Sequence, residues 1–170
     1  MSGPPGPLSI ADEAPNFDLS STENAVLMLR DEVARNAAVV YFFADPSDAR
    51  AQSDLDALNR HLDRLARRSA RVLAVSPAKL DDLKKLQAER KLLFPLLHDD
   101  RSFSASYGVE PTAPALVLVG RKQRILWLAN PVAAVAEALP EVEKVLAEQP
   151  SPAKSYPKSV INRLIDKIVN

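Results

Sequence analysis

No cysteine occurs in the 170 residues. That single absence excludes disulfides, thiolate metal sites and any thiol nucleophile, because each needs sulfur that the chain does not have. Glycine is also scarce, at four residues, which leaves no room for a glycine-rich phosphate loop. Neither sign of charge is in excess: 22 basic residues balance 22 acidic ones, so no overall field draws the chain to nucleic acid or to an anionic membrane. No apolar run approaches the roughly 20 residues that cross a bilayer. The opening Met1–Leu8 has neither the basic start nor the apolar stretch of a secretion signal. Together these absences predict a cytoplasmic protein with no nucleic-acid or membrane partner.

What is present is an ordinary globular composition, 46% apolar and 26% charged, in a chain long enough to bury a core unaided. Ala37–Phe43 (AAVVYFF), Arg71–Val75 (RVLAV) and Ala115–Val119 (ALVLV) are short continuous apolar runs rich in β-branched and aromatic residues, the pattern of strands covered on both faces. Arg124–Leu128 (RILWL) follows the third run after the polar Gly120–Gln123, which predicts an antiparallel hairpin. Between the runs, Leu55, Leu58, Leu62 and Leu65 stripe one long helix, with Asp45, Ser47 and Asp48 as capping candidates. Leu80, Leu83 and Leu86 mark a second helix. Val132, Val135, Leu139, Val142 and Val145 mark a third, which Pro140 should kink or split. Strands alternating with helices predict a sheet with parallel members and helices on both faces.

The organisation expected is a lead-in at 1–8, a single domain over 9–150, and a C-terminal linker with a helix over 151–170. In that last part Val160, Ile161, Leu164, Ile165 and Ile168 recur at helical spacing. A helix of about twelve residues is marginal alone in water, so its apolar side must be covered, by its own domain or by a partner.

Other constellations are weak. His98, Asp99 and Asp100 are adjacent in sequence and point in different directions, and His61 falls on the polar side of its helix, so no metal is assigned. Nor is a cofactor. The basic group Arg64, Arg67, Arg68 and Arg71 lacks aromatic neighbours on which bases could stack. Trp127 is expected to pack on the hairpin face.

The element order resembles the thioredoxin fold, and five local segments resemble peroxiredoxins of the alkyl hydroperoxide reductase/thiol-specific antioxidant family. They are Asp12–Leu19 (DEAPNFDL), Val39–Phe43 (VVYFF), Leu73–Pro77 (LAVSP), Phe94–Asp99 (FPLLHD) and Tyr107-Gly108-Val109, in family order across most of the chain and most similar to the bacterioferritin-comigratory group. The resemblance implies an α/β, thioredoxin-like fold: a central mixed sheet with helices on both faces, and here an extra C-terminal amphipathic helix.

The family's catalytic loop, Pro-x-x-x-Thr-x-x-Cys, lies directly after the first long strand. Laid on this chain, it puts Ala44 at the proline, Asp48 at the threonine and Ala51 at the peroxidatic cysteine. The family arginine before the hairpin strand falls at Pro114, preceded by Ala113. The pattern is lost at all four positions. Thioredoxins also place a cis-proline before this strand, so the resemblance implies a cis bond at Ala113–Pro114 and a groove there. The reading is a cysteine-less peroxiredoxin-like protein without thiol peroxidase activity, a homodimer acting by binding or assembly, with Asp45, Asp48, Arg50, Ala113 and Pro114 as binding candidates. A protein partner at the C-terminal helix is part of the same reading. The alternative is an antioxidant oxidoreductase in the family's manner, or an enzyme using non-thiol chemistry in the same cleft, through Asp45, Asp48 and Arg50 with Tyr41 or Tyr107 nearby.

Overall fold

The computed structural model describes residues 8–110 and 112–150. The lead-in expected at Met1–Pro7 and the helix expected within 151–170 lie outside these residues.

Five strands form the central sheet in the order β5-β4-β3-β6-β7. They are β3 (Ala37–Phe42), β4 (Ala70–Ser76), β5 (Leu96–His98), β6 (Ala115–Val119) and β7 (Ile125–Ala129). β3 pairs parallel with β4 and antiparallel with β6; β4 pairs parallel with β5, and β6 antiparallel with β7. The sheet is therefore mixed, and the sequence-predicted hairpin is β6–β7. A small antiparallel pair, β1 (Asp18–Ser20) with β2 (Val26–Met28), precedes it.

Every residue of β3 is buried, because side chains alternate between two covered faces. Val39, Tyr41 and Phe43 join one core cluster with residues of α2 (Ala49–Arg60), α3 (Leu62–Arg67), α4 (Leu80–Arg90) and α6 (Val135–Ala147). Ala38, Val40 and Phe42 join the other, with Ala14, Phe17, Leu29 and Tyr107. That second face is covered by the chain's opening segment and by α1 (Leu29–Glu32) and α5 (Ser102–Ser106). β4 and β6 alternate in the same way, Val72 and Leu118 toward the first cluster, Leu73 and Val117 toward the second.

Two helix expectations need correction. The Leu55–Leu65 stripe is two helices, not one. At His61 the backbone N–H turns to the Leu58 carbonyl at 3.1 Å, while the ring Nδ1 lies 2.8 Å from the Ala57 carbonyl that a continuing α-helix would have used. Pro140, by contrast, does not split the third helix, which runs unbroken over Val135–Ala147 and leaves Val132 outside it. Pro140 and Ala136 are both exposed, so water can satisfy the Ala136 carbonyl that the proline cannot.

Both sheet edges are partly covered. Thr22 closes β5, donating its N–H to the Leu96 carbonyl at 2.9 Å and accepting the Leu96 N–H on Oγ1 at 3.1 Å. On the opposite edge the Ile125 N–H donates to the Asp12 carbonyl, and its own carbonyl accepts from the Ala11 N–H. No helix among the described residues is long and apolar enough to cross a membrane.

Candidate functional site

At the end of β3 the chain turns through Asp45–Ser47 and enters α2. Asp45 shapes the turn: its Oδ1 accepts from the backbone N–H of Ser47 at 2.9 Å and from its hydroxyl at 2.8 Å. Those bonds to the ionised form hold the exposed carboxyl below its ordinary range, the backbone bond contributing most. Asp48 is the N-cap, accepting the Ala51 N–H at 3.1 Å, one of the three capping residues the sequence offered.

The structure brings Ala44, Asp48, Ala51 and Pro114 together. With Tyr41, Phe43, Asp45, Arg50 and Thr112 they line one cleft of about 260 Å³. Ala113 faces instead a neighbouring cavity of about 10 Å³ under Ser76 and Asp99, room for one water at most. The Ala113–Pro114 bond is trans, contrary to expectation; among the described residues the cis bond is Asn130–Pro131. The two isomers of an X-Pro bond differ by only about 0.5–1 kcal/mol, so tertiary contacts choose between them and the dipeptide does not. The segment after Pro131 does lie against Pro114, the Val132 N–H donating to the Pro114 carbonyl at 2.9 Å.

The floor of the cleft is held by a group that sequence reasoning missed. Asp54, one turn along α2 from Arg50, is only 4% exposed. Its Oδ2 accepts the Tyr41 hydroxyl at 2.8 Å and its Oδ1 accepts the Val135 N–H at 3.1 Å. One carboxylate thus ties α2 to the central strand and to the first turn of α6. In sequence it looks like any polar helix residue; the one available signal was the tyrosine in an otherwise apolar strand, whose buried hydroxyl needs a partner. Arg50 has its Nε 3.9 Å from Asp54 Oδ2 and donates through Nη2 to the carbonyls of Val132 and Ala133. Its guanidinium is committed to the protein.

Tyr41 and Tyr107 are committed as well. Burial, then the Asp54 carboxylate, pushes the Tyr41 phenol far above its usual range. Burial does the same to Tyr107, which belongs to the opposite core cluster and donates to the Pro15 carbonyl at 2.6 Å. A phenol whose pKa is raised by folding stabilises fully below its unfolded pKa of about 10 and less as pH climbs through the folded value. In an alkaline absorbance titration, no more than one of the three phenols is expected to ionise before the chain unfolds. Two titrating freely by about pH 11 would contradict the buried placements.

His61, expected on the polar side of its helix, and His98 are half-buried, each with Nδ1 2.8 Å from a backbone carbonyl, of Ala57 and Ala78 respectively. Asp99 is buried and accepts the N–H groups of Phe103 and Ser104, where it starts α5. Among the described residues, no three His, Asp or Glu side chains converge as a metal site. Trp127 is half-buried against the first core cluster.

This sheet order, with the cleft at the mouth of α2, is a thioredoxin-like fold in its peroxiredoxin form, and solved structures share it. Peroxidoxin BcpB from Mycobacterium tuberculosis superposes with a TM-score of 0.78 at 14% identity, over 84% of this chain and 98% of that one. A mutant of Xylella fastidiosa PrxQ gives 0.75 at 19% identity, again over 84% and 98%. The bacterioferritin comigratory protein of Xanthomonas campestris gives 0.71 at 20%, over 77% and 90%. A sequence model of the AhpC/TSA family matches residues 10–128. The chain belongs to the AhpC/TSA family, and with no cysteine it has no peroxidatic thiol. A search of curated protein sequences returned no match.

Proposed function

We propose that this chain is a peroxiredoxin-type scaffold without thiol peroxidase activity, acting by binding or assembly as a homodimer. One observation carries the reading: at the start of α2, where a thiolate would have to attack the peroxide oxygen, the side chain is the methyl group of Ala51. A methyl group has no lone pair to give. The surroundings support it. Asp48 adds negative charge where the reaction would develop more, and Arg50, the one cation lining the cleft among the described residues, is taken up by backbone carbonyls. Asp45, Asp48, Arg50 and Pro114 remain the binding candidates, as lining of the same cleft, while Ala113 lines the small neighbouring cavity.

The test is an assay with hydrogen peroxide and with organic hydroperoxides, coupled to a thiol reductant. No turnover above a heat-denatured control is expected; turnover would overturn the proposal. Light scattering tests the homodimer, and a monomer at every concentration would remove that part.

A further inference from the structure

The cleft at the mouth of α2 has a volume of about 260 Å³. That lies just under the roughly 300 Å³ at which pockets for drug-sized ligands begin, so it suits a molecule of one ring or one short chain. Phe43, Ala44, the Ala51 methyl and Pro114 give it apolar lining. Phe43 stacks on Tyr41 with ring centroids 5.7 Å apart, and the Tyr41 hydroxyl is pinned by Asp54, so this floor is fixed in place.

The charged lining is mostly acidic. Asp45 and Asp48 are exposed, and Arg50 is the one cation lining the cleft among the described residues. Two carboxylates against one guanidinium leave a net charge of −1. The buried Asp54 beneath adds a second negative charge. Groups behind the cleft do not cancel it: the small neighbouring cavity is lined by Asp99, Glu110 and Arg101, again one negative charge in excess. Arg50 is already engaged by the Val132 and Ala133 carbonyls, so little remains to draw an anion. The two exposed acids are less committed. Ser47 uses Oδ1 of Asp45, and the Ala51 N–H uses Oδ2 of Asp48, which leaves each carboxylate one oxygen for a ligand's donors. Two such oxygens match a cation rich in N–H groups and fall short of the roughly six to eight that a calcium ion takes.

Building on the role of this cleft as a binding site, we propose that it takes a small primary amine in its ammonium form. The apolar stem lies against Phe43 and Pro114, and the ammonium sits between Asp45 and Asp48. An ammonium brings three donors and the charge that the carboxylates call for. Both acids face water, so their pull is modest and weakens with salt, and burial of the stem supplies the rest.

Benzylammonium, benzyl alcohol and benzoate share one shape and differ in charge. Each is titrated into the full chain while backbone amide shifts are followed by NMR. Benzylammonium is expected to move the amides of residues 44–51 and 112–113 saturably, with a Kd of about 1 mM. Benzyl alcohol should bind about tenfold more weakly, and benzoate should leave these amides unmoved. Asp45→Asn with Asp48→Asn retains side chains that can hold the turn and the cap. The double variant should weaken benzylammonium about tenfold and leave benzyl alcohol unchanged. If no saturable shift appears with benzylammonium, if the shifts fall on other residues, or if all three probes bind alike, the proposal is overturned, whatever the double variant does. The peroxide assay is a separate readout: turnover removes the scaffold reading, whereas failure of the amine without turnover removes only this choice of ligand.

Discussion

Replacing Asp54 by alanine is expected to destabilise the domain by about 3 kcal/mol, because two buried donors lose their acceptor together and each unsatisfied group costs about 1–3 kcal/mol. The donors are the Tyr41 hydroxyl and the Val135 N–H. Neither can turn to water: Tyr41 and Val135 are both fully buried. The Arg50 contact adds little, since that side chain is 47% exposed and its Nε stands 3.9 Å away. Against a total stability of about 5–15 kcal/mol, such a loss should be plain in urea unfolding. Asp54→Asn keeps one carbonyl oxygen, so it can serve one of the two donors and should lose roughly half as much. Tyr41→Phe supplies the second arm of a double-mutant cycle. With the hydroxyl already gone, Asp54→Ala should cost clearly less than it does alone. A loss under about 1 kcal/mol for Asp54→Ala in the intact chain would mean that this carboxylate does not tie the layers together.

Restoring sulfur alone is not expected to restore chemistry. In Ala51→Cys the new thiol sits at a position 4% exposed, and Asp48 Oδ2 lies 3.1 Å from the residue-51 N–H. A thiolate about 5 Å from a carboxylate is disfavoured by about 3 kcal/mol at an effective dielectric of 20, less where water screens the exposed Asp48. Burial acts in the same direction. The positive end of the α2 dipole opposes both, but it is already neutralised by the capping carboxylate. Alkylation of Ala51→Cys by iodoacetamide should therefore show a pH midpoint at or above the free-cysteine value of about 8.5, with no peroxide turnover at neutral pH. Adding Asp48→Thr keeps a cap and removes the charge, so the midpoint should fall by about one unit or more. A midpoint near 6 in the single variant would show that the site still favours a thiolate, and that the missing atom is its one defect.

Much of the architecture was legible because it is written in local periodicity. β3, β4 and the β6–β7 hairpin are runs whose side chains must alternate between two apolar faces, and the stripe of Leu83 and Leu86 could bury only one side of α4. The Asp48 cap is likewise a local device. The misreadings share the opposite character. The break at His61 depends on a ring turned back to the Ala57 carbonyl, and the unbroken helix through Pro140 on which carbonyl faces water. The short β1–β2 pair carries no run long enough to announce itself. Asp54 was invisible for a related reason. A carboxylate in a helix is solvated far more often than buried, and nothing near it in sequence names partners 13 residues before it and 81 after.

The absence of thiol chemistry follows from the sequence by itself, since no folding can supply an element that the chain does not contain. Tertiary structure alone decided that Ala44, Asp48, Ala51 and Pro114 would share a cleft, that Arg50 would be taken up by carbonyls 82 and 83 residues away, and which proline would be cis. Composition and periodicity are properties of neighbours along the chain. Burial, the partner of a charge and the isomer of a peptide bond are set by what packs against a residue from elsewhere, and that exists only once the sheet and its helices have closed.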